Sequence, residues 1–189
     1  MLNIFKKKGD LFMKLDNVFL RRLKDDINDY KLLENWYQEE VVYSQFEQRK
    51  LNFKEIKEKY YPRTLDNATV PVYMIEYNNI SVGIIQYKLV DEENKKLYRL
   101  KNDNIYELDI FIGDVKYHNK GIGYKSILIM NKYLFEEKNA NLLIMCPLID
   151  NFSAIKCYEK CGFVNKRKFV TEDTIGTLQE YILMVKENK

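Results

Sequence analysis

The stretch IYELDIFIGDVKYHNKGIGYKSILIMNKYLFEEKNANLLIMCP, residues 105–147, carries the reading on which the fold turns. Ile105 to Ile112 alternates apolar and polar side chains with the period of a half-buried strand, and Gly113 ends it. From about Gly121 to Glu137 the apolar residues fall at helical spacing. Leu142 to Cys146 is a short apolar run stopped by Pro147, the pattern of a buried strand. A helix joining two strands is a crossover, and a crossover makes those strands parallel.

Working outward, Val72 to Tyr77 and Ile80 to Tyr87 are β-rich runs separated by Asn78-Asn79, two residues that tolerate the left-handed backbone of a tight turn. They predict an antiparallel hairpin, so the sheet is mixed. Before it, a strand near Val18 to Leu23 leads to Asp25 and Asp26, either of which can cap a helix carrying Ile27, Tyr30, Leu33 and Trp36 on one face. Asn52 with Glu55 reads as a capping-box variant opening a second helix through Phe53, Ile56 and Tyr60, which Pro62 ends. The charged stretch Asp91 to Asn104 reads as a loop. Beyond residue 147, Asn151 opens another helix that stops at Cys161-Gly162. Strands near Phe163 to Val170 and Leu178 to Lys186 then close a hairpin around Thr171 to Thr177. The predicted order is strand, two helices, three strands, helix, strand, helix, two strands, an α/β or α+β fold with a mixed sheet.

A chain of 189 residues, 46% hydrophobic and 31% charged, can bury one ordinary core. We therefore expect an N-terminal extension over 1–15, frayed and interrupted by Lys6, Lys7, Lys8 and Lys14, and a single domain over 16–189. Formal net charge is only +3, without a basic stripe interleaved with aromatics, which argues against a nucleic-acid partner. Apolar runs fall far short of the ~20 residues of a membrane span. Cys146, Cys157 and Cys161 form an odd set without metal-ligand spacing to the one histidine, His118, so no metal site is expected and a reducing cytoplasm suits them. Cys157 and Cys161 share a helical face, where we read them as buried apolar groups.

Lys120-Gly121-Ile122-Gly123 follows a strand and loop and opens a helix, where successive backbone N–H groups can converge on a phosphate. Lys116, Lys120 and Lys125 add positive charge nearby. By itself the glycine pair also fits an ordinary turn. It is neither a P-loop, which ends Gly-Lys-Ser or Gly-Lys-Thr, nor a full dinucleotide fingerprint, which needs a third glycine. One crossover later stands Asn151-x-x-Ala154-Ile155-x-x-Tyr158-x-x-x-Gly162-Phe163, in a strand-helix-strand setting.

The two elements together resemble the coenzyme-A-binding core of the GNAT superfamily, with His118 at the position where that loop carries Gln or Arg. The likeness covers roughly Val18 to Val185 and is nearest to the aminoglycoside 6'-N-acetyltransferases, through Trp36, Tyr60-Tyr61-Pro62, the strand Val72 to Tyr77, Gly83, Gln86 and Leu108 to Gly113. It implies a GNAT-like mixed, mostly antiparallel sheet flanked by helices, with a central parallel strand pair. It implies acetyl-CoA as cosubstrate, held by Phe111, Ile112, Gly113, His118, Asn119, Lys120, Gly121, Ile122, Gly123, Tyr124, Asn151, Ala154 and Tyr158. The acceptor would be a small-molecule amine met by Trp36, Tyr73, Gln86, Glu107, Asp109 and Cys146, with Asp109 and Tyr158 catalytic, in a monomer or homodimer.

The chemistry asks for such residues. A primary amine with pKa near ~10 must shed a proton before attacking a thioester, which a carboxylate such as Asp109 assists. A leaving thiolate of pKa near ~8.5 accepts a proton from a phenol such as Tyr158. A strand N–H near Phe111 can hold the thioester oxygen as charge develops. Each residue also has a plainer reading: Tyr158 and Trp36 as core aromatics, Asp109 as surface alternation, His118 as a solvated loop residue. Two departures bear on the acceptor. Cys146-Pro147 stands where the aminoglycoside enzymes carry Asp-Pro, and a Trp-Gly-Gly-like loop is replaced around Tyr43 to Phe46. Asp91, Glu92, Glu93, Asp103 and Glu107 remain available to a cation, although loop charges also read simply as solvated groups. Three functions stay open: an aminoglycoside 6'-N-acetyltransferase of the antibiotic-resistance type, a GNAT enzyme for another amine (polyamine, siderophore precursor or protein N-terminus), and a non-catalytic coenzyme-A-binding module.

Overall fold

The structure, a computed structural model, describes residues 2–7 and 10–188. In chain order the strands are β1 (Leu2–Lys7), β2 (Asp10–Leu15), β3 (Val18–Arg22), β4 (Val72–Tyr77), β5 (Ile80–Leu89), β6 (Ile105–Ile112), β7 (Leu142–Met145), β8 (Val164–Glu172) and β9 (Leu178–Glu187). The helices are α1 (Ile27–Trp36), α2 (Glu40–Phe46), α3 (Phe53–Tyr60), α4 (Glu92–Tyr98), α5 (Ile122–Glu137) and α6 (Phe152–Lys160). Among the described residues the strands form one sheet in the order β1-β2-β3-β4-β5-β6-β7-β9-β8. Every neighbouring pair is antiparallel except β6 and β7, joined by α5 as the crossover requires.

Local chemistry sets the element ends. Asp26 caps α1 by accepting from the Asn28 N–H, while Asp25 accepts from the Tyr30 hydroxyl at 2.9 Å. Asn52 and Glu55 close a reciprocal capping box on α3. Asn78 and Asn79 both hold positive φ, 50° and 65°, which matches the β4–β5 turn to the strand twist.

Three segments depart from expectation. The loop read at Asp91 to Asn104 contains α4, capped by Asp91 and anchored by buried Tyr98 with Leu97 beside it; two adjacent apolar residues in seven show no helical spacing. α2 adds a helix where two were expected, and Val42 is its one buried residue. The extension is not frayed: β1 and β2 pair from Leu2↔Leu15 to Lys7↔Asp10, β2 continues onto β3, and buried Met13 joins the core. The lysine run masked that alternation.

Strand alternation sorts the core. Val72, Met74, Ile84 and Phe111 face α1–α3, whereas Tyr73, Ile75, Ile85 and Leu108 face α5 and α6. A third cluster, with Tyr98, Ile105, Ile144 and Phe169, lies under α4.

Candidate active site

The β6–β7 ladder pairs only Ile105↔Leu142 through Glu107↔Ile144. β6 runs on to Ile112 against β5, while β7 stops at Met145, before Pro147. The sheet therefore parts beyond Glu107, and a cleft of about 680 Å³ opens there, large enough for a cofactor-sized ligand. Leu108 to Ile112 form one wall and Cys146 and Pro147 the other, with α2, the start of α5 and one face of α6 completing it. Strand amides that lose a ladder partner here are available to a ligand.

At the closed end of the loop, Gly121 precedes α5 with φ 72° and no side chain caps the helix. Its first-turn N–H groups are left for an anion. A Cβ at Gly121 would meet nothing within 4 Å, so the glycine answers the backbone conformation rather than a crowded neighbour. His118 is not merely solvated: its Nε2 donates to the Ile112 carbonyl at 2.8 Å, tying the loop to the end of β6. Asn151 caps α6, accepting from the Ala154 N–H at 3.1 Å.

The cleft gathers Asp109, Phe111, Ile112, His118, Asn119, Gly121, Ile122, Gly123, Tyr124, Cys146, Asn151, Ala154 and Tyr158. Tyr158 is 8% exposed, and burial pushes its hydroxyl pKa up, so the phenol stays protonated at neutral pH. Among the described residues Asp109 makes one side-chain hydrogen bond, accepting from Gln86 Nε2 at 3.0 Å.

Other predicted residues lie elsewhere. Tyr73 points to the opposite face of the sheet, packed on Tyr87 and Tyr133: it sits across from Ile85, one step out of phase with Gln86 and Asp109. Trp36 is a wall support behind the cleft, 5% exposed, edge-on to Phe111 and pressed against Gly113. Gly113 is buried beneath it and donates its N–H to the Val82 carbonyl at 2.8 Å. Glu107 shares the Asp109 face but is buried, paired with Lys88 at 3.2 Å beneath the Tyr98 hydroxyl. Burial, with the nearby Asp109 charge, raises its pKa to about 7.

The lysines counted around the loop are turned to other partners. Lys116 faces Asp114 at 3.8 Å, Lys120 lies 5.0 Å from the Tyr117 ring centre, and Lys125 pairs with Asp16 at 3.0 Å. The cleft's lysines are Lys156 and Lys160, one turn apart on α6, a spacing that a helix starting at Asn151 already offered. Cys161 is buried as expected, but Cys157 is half-buried and lines the cleft, its thiol pKa lowered by the neighbouring Cys161 thiol. The acids of the 91–104 segment serve α4: Asp91 caps it, and Glu92 and Asp103 lie near Lys95.

A family model described as an acetyltransferase (GNAT) domain matches residues 25–171. The chain belongs to the GNAT acetyltransferase family. It is 23% identical over 161 residues to aminoglycoside N(6')-acetyltransferase type 1 from Klebsiella pneumoniae, covering 84% of this chain and 79% of that one. The fold is similar to aminoglycoside acetyltransferase AAC(6')-Ib in complex with coenzyme A (TM-score 0.74, 21% identity, 90% and 95% of the two chains). It is also similar to a spermidine N-acetyltransferase from Vibrio cholerae in complex with coenzyme A and spermine (TM-score 0.72, 22% identity, 90% and 95%). As a GNAT acetyltransferase, the protein uses acetyl-CoA to acetylate amines. The uncapped α5 terminus behind Gly121, opening into the parted β6–β7 cleft, fits that cosubstrate.

Proposed function

We propose that this GNAT enzyme acetylates a primary amine of a small molecule bound beside Asp109, and that the 6'-amine of an aminoglycoside is its acceptor. The observation that carries the reading is the meeting of Asp109 and Tyr158, from β6 and α6, in the one cleft that also receives the α5 terminus. Aminoglycoside 6'-acetylation as the acceptor chemistry is supported by the relatives from Klebsiella pneumoniae and Serratia marcescens.

Bound acetyl-CoA supplies the acetyl group as a thioester with a thiolate leaving group. The α5 N–H groups, with Lys156 and Lys160, hold its phosphates. Asp109 receives the acceptor ammonium and takes up or orients its proton, so that the free amine is presented for attack. A β6 amide near Phe111 donates to the developing oxyanion, and the Tyr158 hydroxyl protonates the departing sulfur. The Tyr158 carbonyl accepts from the Cys161 and Phe163 N–H groups, but its hydroxyl has no hydrogen-bond partner among the described residues, so the phenol proton is not committed elsewhere.

A specific observation favours a second acceptor class, an amine with fewer charges. Cys146 stands in place of an acid, and Glu107, the carboxylate beside Asp109 on β6, already faces a cation of the chain, Lys88. A polycation gains less from such a balanced surface than from an acidic one. An acetyl-CoA consumption assay separates the two readings. Kanamycin, a 6'-hydroxyl analogue and spermidine are compared at millimolar concentration. Turnover with kanamycin and none at the 6'-hydroxyl position supports the aminoglycoside reading; turnover with spermidine alone refutes it.

A further inference from the structure

Beneath Asp109, hydrogen bonds run back from the cleft into the protein. Gln86 and Asp109 are direct cross-strand partners on β5 and β6. Gln86 is 6% exposed, and its Nε2 donates to Asp109 Oδ2 at 3.0 Å. Its Oε1 accepts from Arg63 Nη1 at 2.6 Å. Arg63 ends the short 3-10 turn Tyr61–Arg63 that follows α3. Its guanidinium lies 5.2 Å from the Tyr60 ring centre, and its carbonyl accepts from Arg22 at 3.0 Å. Among the described residues Arg63 has no carboxylate partner.

We infer that Arg63 is a positioning residue of the acceptor site, acting on Asp109 through Gln86; this rests on Asp109 being the acceptor-facing carboxylate. A guanidinium carries donors only, so the Gln86 amide must turn its oxygen to Arg63 and its NH₂ to Asp109. The cation thus removes the amide's freedom to flip and fixes one carboxylate oxygen, leaving Oδ1 for the acceptor. Both hydrogen bonds include an ionic group, which makes them stronger than neutral pairs. Glu107 sits on the same face of β6 and repels Asp109, so a carboxylate released by Gln86 would turn away from it. Among the described residues Lys59 and Lys88 pair with Glu47 and Glu107, and Arg63 is the cation that hydrogen-bonds Gln86.

Arg63→Met and Gln86→Glu test the relay. The glutamate still accepts from Arg63 but has no hydrogen to donate to Asp109. Each is expected to lower kcat with the acceptor amine roughly 10- to 100-fold, the loss of a hydrogen bond to a charged group, with acetyl-CoA affinity by calorimetry unchanged. Arg63→Lys should recover part of the rate. In an Asp109→Asn background Arg63→Met should cost nothing further; an equal loss in both backgrounds reduces Arg63 to a structural role and overturns the inference. The Gln86 side-chain amide resonance, followed by NMR without substrate, should move in both Arg63→Met and Asp109→Asn. An unmoved resonance overturns the relay whatever the activity. A responsive resonance with full activity in Asp109→Asn instead overturns the acceptor reading, and with it the catalytic meaning of the relay.

Discussion

Gly113→Ala tests how the wall of the cleft is built. A Cβ at position 113 would lie 2.1 Å from Trp36 Cγ and 2.3 Å from Cδ2. Ordinary carbon contacts are about 3.5 Å, so the indole must retreat by more than about 1 Å. Trp36 is a rigid bicycle, 5% exposed and packed edge-on against Phe111, with little room to yield. Overpacking of this kind costs about 1–3 kcal/mol, and the upper end is expected here. Trp36→Ala alone should cost about 3–5 kcal/mol through the cavity it leaves. With the indole gone the clash is gone too, and φ at Gly113 lies outside the left-handed region. Alanine then restricts the unfolded chain and is neutral or stabilising by up to about 1 kcal/mol. The two substitutions are therefore expected to couple by about 2–4 kcal/mol in a double-mutant cycle. Urea denaturation of the four proteins reads this directly. If Gly113→Ala costs the same with and without the indole, Trp36 is not what the glycine accommodates.

Tyr158→Phe should lower turnover roughly 10²-fold while coenzyme A binding by calorimetry is retained; an unaltered rate in a chemistry-limited assay returns the residue to packing. Gly121→Val forces a β-branched residue into φ 72° at the start of α5 and should weaken coenzyme A binding, so equal affinity would move the phosphate site elsewhere. Glu107 carries a pH prediction. Its pKa rises from 4.5 to about 7 on folding, so the folded state holds a proton that the unfolded state has lost. Its contribution to stability is full below pH 4.5 and is lost as pH rises through 7, by roughly 3 kcal/mol at most. Urea unfolding at pH 5 and pH 8 should show that slope in wild type and its loss in Glu107→Gln; parallel profiles would contradict it.

Local and periodic features were legible in the sequence because they depend on neighbours along the chain. Asn52 and Glu55 form their capping box, Asn78-Asn79 turns the hairpin, and Gly121 starts α5 with the positive φ its type permits. The strand-helix-strand order from Ile105 to Met145 required a parallel pair, and β6–β7 is that pair. The glycine- and asparagine-led motifs carry the resemblance to the GNAT family because each is contiguous in the chain. Tertiary structure alone decided which of the resembling residues share a surface. Tyr73 and Gln86 are both strand residues of the likeness, yet the register of β4 on β5 sends one into the tyrosine cluster and the other to Asp109. Lys120 and Lys125 flank the glycine loop in sequence but turn to Tyr117 and Asp16, while Lys156 and Lys160 reach the cleft from a helix one crossover later. Arg63 lies 23 residues from Gln86, and neither periodicity nor motif joins them. Side-chain direction depends on strand register and helix rotation, and long-range packing sets both, so no pattern of neighbours along the chain contains it.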